Sequence, residues 1–215
     1  MPYAIIDLGT NTFQLLIAEP ADGGFKTLHE ESRAAKIGKG GISDGRIAEE
    51  AIERALTVLK HFRTLTDAHG VAPEHVRPTA TSAVRNARNQ AEFVQRVREA
   101  TDFRVEIIDG AEEAGLIYEG VRLGTPLNNA VSLIMDIGGG SVEFILCNQA
   151  RIFWKRSFEI GGQRLMDRFM GFDPIAPGQV GRLYEYLDEQ LLPLTNAIHQ
   201  YAATELIGSA GSFET

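Results

Sequence analysis

The chain has one cysteine, Cys147, few basic residues for its acids, and no long hydrophobic run. A single thiol excludes both an internal disulfide and a thiolate metal cluster. No apolar stretch approaches the ~18 residues that a membrane-crossing helix needs. Met1-Pro2-Tyr3-Ala4 leads straight into a strand-like segment, with no basic stretch and no signal-type apolar core. A cytoplasmic location and no membrane partner are therefore expected. Lys and Arg total 21 against 29 Asp and Glu, a formal charge of −8. A net acid is ill-suited to sequence-independent nucleic-acid binding, whose affinity comes from phosphate neutralisation. With 44% hydrophobic and 23% charged residues over 215 positions, the composition is that of an ordinary folded protein, long enough for one large domain or two modest lobes. Glycine is in excess, 22 residues, and where the glycines fall is the main clue.

Tyr3 to Ile6 and Phe13 to Ala18 read as strands, Asp22-Gly23-Gly24 as a hairpin turn, and Phe25 to Glu31 as a third strand. A loop with Gly38, Gly40, Gly41 and Gly45 follows. Ile47, Ala48, Ala51, Ile52, Ala55, Leu59 and Phe62 keep the 3.6-residue period and predict a helix from about Arg46 to His69, ended by Gly70. Val76 to Ala80 reads as a strand in which Pro78, unable to donate a ladder hydrogen bond, should end or bulge the pairing. A helix over Asn89 to Ala100, a strand over Phe103 to Ile108 and a helix over Ala111 to Val121 complete a first lobe, residues 1–124. Gly124-Thr125-Pro126 reads as the linker to a second, residues 125–215. There Val131 to Met135, Val142 to Cys147 and Arg151 to Ile160 are expected strands, with Asn148-Gln149 turning the second hairpin. Gly161-Gly162 opens a short helix through about Phe169. A longer helix runs from about Pro177 to Tyr201 with a bend at Pro193, and Glu205 to Ile207 is a short strand.

An internal repeat links the halves. Ile6-Asp-Leu-Gly-Thr-Asn-Thr-Phe-Gln-Leu-Leu-Ile17 aligns with Met135-Asp-Ile-Gly-Gly-Gly-Ser-Val-Glu-Phe-Ile-Leu146, offset by 129 residues. Each copy puts an acid at the end of an apolar strand and a glycine-containing hairpin after it. The repeat predicts an α/β fold of two similar lobes facing each other across a cleft, each contributing one Asp.

Three runs of small residues follow apolar strands. Without Cβ atoms the backbone can approach an anion, and successive N–H groups can cradle phosphate oxygens. The phosphate-binding candidates are Thr10, Asn11 and Thr12 in the first run, Gly138, Gly139, Gly140 and Ser141 in the second, and Gly208, Ser209 and Gly211 in the third. Each run alone is also compatible with a tight turn. Asp7 and Asp136 suit Mg²⁺, which takes oxygen ligands and is usually held by one or two carboxylates beside substrate phosphates; they also suit turn residues that bond neighbouring amides. Asp109 with Glu112 three residues on has capping-box spacing, which occupies Glu112 at the helix start. Glu113 lies about 100° further round the helix, free of that duty, and is either a base or a favourable charge in the first turn. Arg85 follows a strand-to-helix passage, where it can grip phosphate or be a solvated surface residue. Arg33, Lys36 and Lys39 form a local basic patch of the kind that an acidic protein needs for binding a polyanion.

Five motifs occur in order: Asp7-Leu-Gly-Thr-Asn-Thr-Phe13, Ala80-Thr-Ser-Ala-Val-Arg85, Gly110-Ala-Glu-Glu-Ala114, Asp136-Ile-Gly-Gly-Gly-Ser-Val-Glu143 and Gly208-Ser-Ala-Gly-Ser212. Together they strongly resemble the exopolyphosphatase / guanosine pentaphosphate phosphohydrolase family, over essentially the whole chain. The resemblance implies two ribonuclease-H-like lobes of the actin-like ATPase superfamily and Mg²⁺-dependent hydrolysis of terminal phosphoanhydride bonds of inorganic polyphosphate. It places the catalytic base at Glu113, a phosphate-holding arginine at Arg85, a metal ligand at Asp136, and at Glu143 a residue that positions water or metal. By analogy with the first half, a helix, a strand and a helix are expected after Thr215, so the second lobe reads as incomplete, without the helical C-terminal domain of longer family members. A sheet edge left open there invites a second copy of the chain, so a homodimer is among the expected partners.

Guanosine pentaphosphate is the rival substrate to polyphosphate. An actin-like ATPase or kinase, which the three phosphate loops alone would permit, and a non-catalytic polyphosphate-binding module are the alternatives from other classes. Glu113, in the family's hydrolase motif, separates the first reading from these.

Overall fold

Tyr3–Leu8 (β1), Thr12–Ala21 (β2) and Gly24–Ala34 (β3) form an antiparallel meander, and Val76–Ala80 (β4) adds to β1 in parallel. With the two-residue Glu106–Ile107 (β5) the order is β3-β2-β1-β4-β5. The period-2 pattern of β1 buries Ala4, Ile6 and Leu8 and leaves Tyr3, Ile5 and Asp7 exposed. The buried set packs with Phe13, Leu15 and Ile17 of β2 and with Ala51, Ile52, Ala55, Leu59 and Phe62 of the helix Glu49–Ala68 (α1). Ser82–Arg85 (α2) and Gln90–Thr101 (α3) complete this unit, which closes at Ile108. The structure describes residues 1–213, without the side chain of Ser212, and was obtained as a computed structural model.

The second unit begins at Asp109. Gly110–Gly124 (α4) is followed by the strands Ser132–Ile137 (β6), Val142–Cys147 (β7) and Ile152–Phe158 (β8), the helices Gly162–Phe169 (α5) and Pro177–Tyr201 (α6), and the strand Glu205–Ser209 (β9). The order β8-β7-β6-β9 reproduces β3-β2-β1-β4, with the same antiparallel hairpins and the same parallel fourth strand. All six residues of β7 are buried because both faces are covered. Ile134, Ile145 and Cys147 pack with Ala114 and Tyr118 of α4. Val142, Phe144 and Phe158 pack with Leu194 of α6 on the other face.

Several boundaries differ from the sequence reading. The structural division lies at Ile108/Asp109 rather than after residue 124, because α4 buries Ala114 and Tyr118 against the second sheet. Pairing of β4 with β1 runs unbroken through Ile6↔Pro78. Pro78 is tolerated because on its other flank β5 pairs only with Thr79 and Ala80, so no partner strand stands beside the missing N–H. The expected strand over Phe103 to Ile108 shrinks to those two β5 residues, while Phe103 turns into the first core. The first helix starts three residues later than its periodicity suggested, since Ile47 and Ala48 precede it in extended or turn conformation. α6 runs continuously across Pro193. No helix among the described residues is long and apolar enough to cross a membrane.

Candidate active site

Side chains two apart on a strand share a face. In β6 and β7, Asp136 and Glu143 therefore lie on the face of Ile134, Ile145 and Cys147, which is the face that α4 covers. They are direct cross-strand neighbours, Asp136↔Glu143. β8 adds Ser157 opposite Glu143, and β9 adds Ser209 opposite Asp136. Ser157 donates from Oγ to Glu143 Oε1 at 2.6 Å, and Ser209 hydrogen-bonds the Asp136 carboxylate.

Glu143 is 2% exposed. Burial is the largest cause pushing its carboxyl up to about 7, followed by the negative charge of Glu113; bonds from Ser157 and Ser141 work the other way. Asp136, half-buried, is also raised by desolvation, with Ser209 opposing. Glu113 comes from the first turn of α4. Asp109 caps that helix, its Oδ1 accepting from Ala111 N at 2.8 Å and Glu112 N at 2.7 Å. Glu113 is half-buried and Glu112 exposed, because Glu113 shares the inner side of α4 with Ala114 and Ile117. Two neighbouring carboxylates of the same unit, Glu113 and Asp136, thus act on the buried Glu143, and burial strengthens such an interaction.

The turn leaving Asp136 is set by its glycines. Gly138 N donates to Ser141 O at 3.0 Å, and a Cβ on Gly138 would stand 3.0 Å from that oxygen. The carbonyls of Gly138, Gly139 and Gly140 are taken by the start of α5: Gly162 N to Gly138 O at 3.0 Å, Gln163 N to Gly139 O at 2.8 Å, and Gly161 N to Gly140 O at 3.2 Å. No backbone carbonyl among the described residues takes the N–H of Gly139, Gly140 or Ser141. With carbonyls held on one side, such a turn offers its N–H groups to an anion. Two residues of this arrangement were not among the site candidates read from the sequence: Ser157, and Gly161, which stood there only as the opening of a short helix. Ser157 was reachable from the hairpin register about Asn148-Gln149, and Gly161 from its Gly-Gly pair.

In the first unit the equivalent turn has the same build. Asp7 pairs with Gln14 and Thr79, and a Cβ on Gly9 would meet Thr12 O at 2.8 Å. Thr10 is buried; its carbonyl accepts from Gly38 N, and that of Asn11 from Ala35 and Lys36 N. Asp7 itself is exposed, unlike Asp136. Arg85, half-buried at the end of α2, donates to Ile108 O at 3.2 Å. Within the basic patch, Arg33 is paired with Glu31.

The third run differs from its expected form. Gly208 and Ser209 are strand residues of β9, not loop, and Gly208 leaves room for the Phe213 ring, which a Cβ would strike at 2.3 Å. Ala210 follows at φ +68° and Gly211 opens a 3-10 turn. The side chain of Ser212 lies outside the described residues.

Among the described residues no group of three or more His, Cys, Asp or Glu is arranged to hold a metal by itself. Mg²⁺ needs only one or two carboxylates when phosphate and water complete its shell. The desolvated Asp136, beside Glu143, fits that role, since a cation there offsets the desolvation that raises Asp136 and the negative charge of Glu113 and Asp136 that helps raise Glu143. A cavity of about 480 Å³ lined by Arg63, Arg77 and Arg104 lies at the start of β4, the end of that strand away from Arg85.

The model of the Ppx/GppA phosphatase family matches residues 16–215. Exopolyphosphatase 2 of Mycobacterium tuberculosis is 33% identical over 99% of this chain and 68% of its own length. The crystal structure of an exopolyphosphatase from Cytophaga hutchinsonii is 48% identical, with a TM-score of 0.95 over 100% of this chain and 68% of that one. The PilM–PilN type IV pilus biogenesis complex, at 14% identity and a TM-score of 0.54 over 98% of this chain and 82% of that one, shares the fold alone. The fold is α/β with two mixed sheets, as in the actin-like ATPase superfamily.

Proposed function

The chain belongs to the Ppx/GppA phosphatase family, and we propose that it releases terminal phosphate from inorganic polyphosphate. The observation that carries this reading is Glu113, half-buried on the inner side of α4 and electrostatically linked to the buried Glu143. In the proposed step the Glu113 carboxylate accepts a proton from water as the water oxygen attacks the terminal phosphorus. The bond from that phosphorus to its bridging oxygen breaks in line, and the shortened chain leaves. Such a transfer needs positioning and charge stabilisation more than covalent chemistry. Glu143, fixed by Ser157, orients the water. The turns at Thr10-Asn11-Thr12 and Gly138 to Ser141, with Arg85, Ser209 and Gly211, are assigned to phosphate. Asp136 would hold Mg²⁺ in the second unit, and Asp7 is the first unit's own candidate ligand; a bound ion would supply positive charge that offsets the phosphate oxygens.

Phosphate release with Mg²⁺ from long and short polyphosphate, guanosine pentaphosphate and ATP, side by side, tests the reading. Release from polyphosphate without nucleotide supports it. Release confined to guanosine pentaphosphate moves the substrate, and release confined to ATP sinks the proposal.

A further inference from the structure

We infer that Arg164 is a positioning residue for the triple-glycine turn, with Glu159 as its anchor; this rests on that turn's proposed role in holding phosphate. Arg164 Nε donates to Gly140 O at 3.1 Å, and its Nη2 donates to Glu159 Oε2 at 2.8 Å. Its backbone N–H also reaches Gly139 O at 3.3 Å. One residue therefore binds two consecutive carbonyls of the turn, one through its backbone and one through its guanidinium. The Arg164 side chain is 18% exposed and that of Glu159 39%, so the guanidinium is partly withdrawn from water, where a charge-assisted bond gains strength.

The geometry explains why this brace is needed. A turn of three glycines has more conformational freedom than any other, and that freedom must be removed before its N–H groups can face an anion in register. Gly161 brings the chain against the turn so closely that a Cβ would lie 2.5 Å from Gly139 C, Gly140 C and Gly140 N. That approach lets the start of α5 take the carbonyls. Arg164 then adds a second donor on Gly140 O, which already accepts from Gly161 N. A peptide whose oxygen is held from two directions cannot rotate without losing both bonds. The planar fork of arginine can hold Glu159 and Gly140 O together; lysine, a single ammonium on a flexible stem, cannot do so in a fixed orientation.

The test reads binding of inorganic tripolyphosphate by calorimetry with Mg²⁺, which needs no turnover and so separates this inference from the proposed hydrolysis. Arg164→Met is expected to weaken binding about tenfold, the scale of one charge-assisted hydrogen bond. Glu159→Gln should weaken it in the same sense but less. The double variant should be no worse than Arg164→Met alone, because both act through one contact. Arg164→Lys should fall between the wild type and Arg164→Met. Where polyphosphate is hydrolysed, KM should rise with kcat changed much less. Wild-type affinity in Arg164→Met, or additive losses in the double variant, overturns the inference. If Arg164→Met does not fold, wild-type affinity in either Glu159→Gln or Arg164→Lys overturns it. Should the wild type bind no tripolyphosphate, the phosphate-turn reading on which the inference rests fails with it.

Discussion

Glu143 stands directly opposite Asp136 in the β6–β7 ladder, as Gln14 stands opposite Asp7 between β1 and β2. The duplication preserved the register and changed the charge: one copy pairs acid with amide, the other acid with acid. Like charges directly opposite destabilise a sheet. The second copy bears that cost under α4, where burial and Glu113 raise Glu143 to about 7. Perturbed acids of this kind gather at functional sites.

Glu143→Gln separates the cost from the function. A carboxyl whose folded value is raised from 4.5 to about 7 favours the fold fully below 4.5 and loses that contribution as pH rises through 7. In chelator-treated buffer the glutamine variant should therefore melt higher than the wild type at pH 8, and this relative gain should shrink towards pH 4.5. Its phosphate release should fall sharply at every pH. A variant no more stable at pH 8 than at pH 4.5, relative to the wild type, counts against a buried, charge-repelled Glu143.

Asp136→Asn is expected to raise the Mg²⁺ concentration for half-maximal activity by about tenfold or more, the range seen when a metal's ligand environment is disturbed. Asp7→Asn should shift it less, since Asp7 is exposed and stands opposite Gln14 in its ladder, where Asp136 stands opposite Glu143. Activity titrated against Mg²⁺ decides; an unchanged half-saturation in Asp136→Asn removes it as a ligand.

Glu31 ties β3 to α1. It is held by Arg33, by His61 Nε2 at 3.1 Å and by His29 Nε2 at 3.2 Å, and these bonds, that of Arg33 foremost, bring its carboxyl down from 4.5 to about 2. A lowered carboxylate stabilises the fold above its unfolded value and loses that contribution as pH falls through the folded one. Glu31→Gln should lower the melting temperature by roughly 2 °C at pH 7, the scale of a partly exposed ion pair. The gap to the wild type should close between pH 4.5 and 2. A gap that persists at pH 2 contradicts the ionic account.

The strands and helices with strong local patterns were legible in the sequence. Val142–Cys147 and Pro177–Tyr201 have the bounds read from apolar runs and proline, and the repeat anticipated the shared strand order. The unit boundary was not, because Gly124-Thr125-Pro126 looks like a linker while the sheet that Ala114 and Tyr118 pack on is decided by tertiary contact. Pro78 misled for the same reason: a missing donor matters only if a partner strand stands beside it. Gly208 reads like a phosphate-loop glycine but makes room for Phe213. Arg164 carries no local signal at all, since its bond to Gly140 spans 24 residues.

The most direct test of the central claim is turnover against binding in Glu113→Gln. Glutamine is nearly isosteric and leaves the Asp109 cap intact, but it cannot accept the proton from water. Phosphate release from polyphosphate should drop ~10²–10⁴-fold, the usual contribution of a positioned base, while tripolyphosphate still binds with near wild-type affinity. Glu112→Gln, on the exposed side of the same turn, should lose little. A Glu113→Gln variant that keeps more than about a third of the wild-type rate, beyond any reach of a ~10²-fold base effect, contradicts the account.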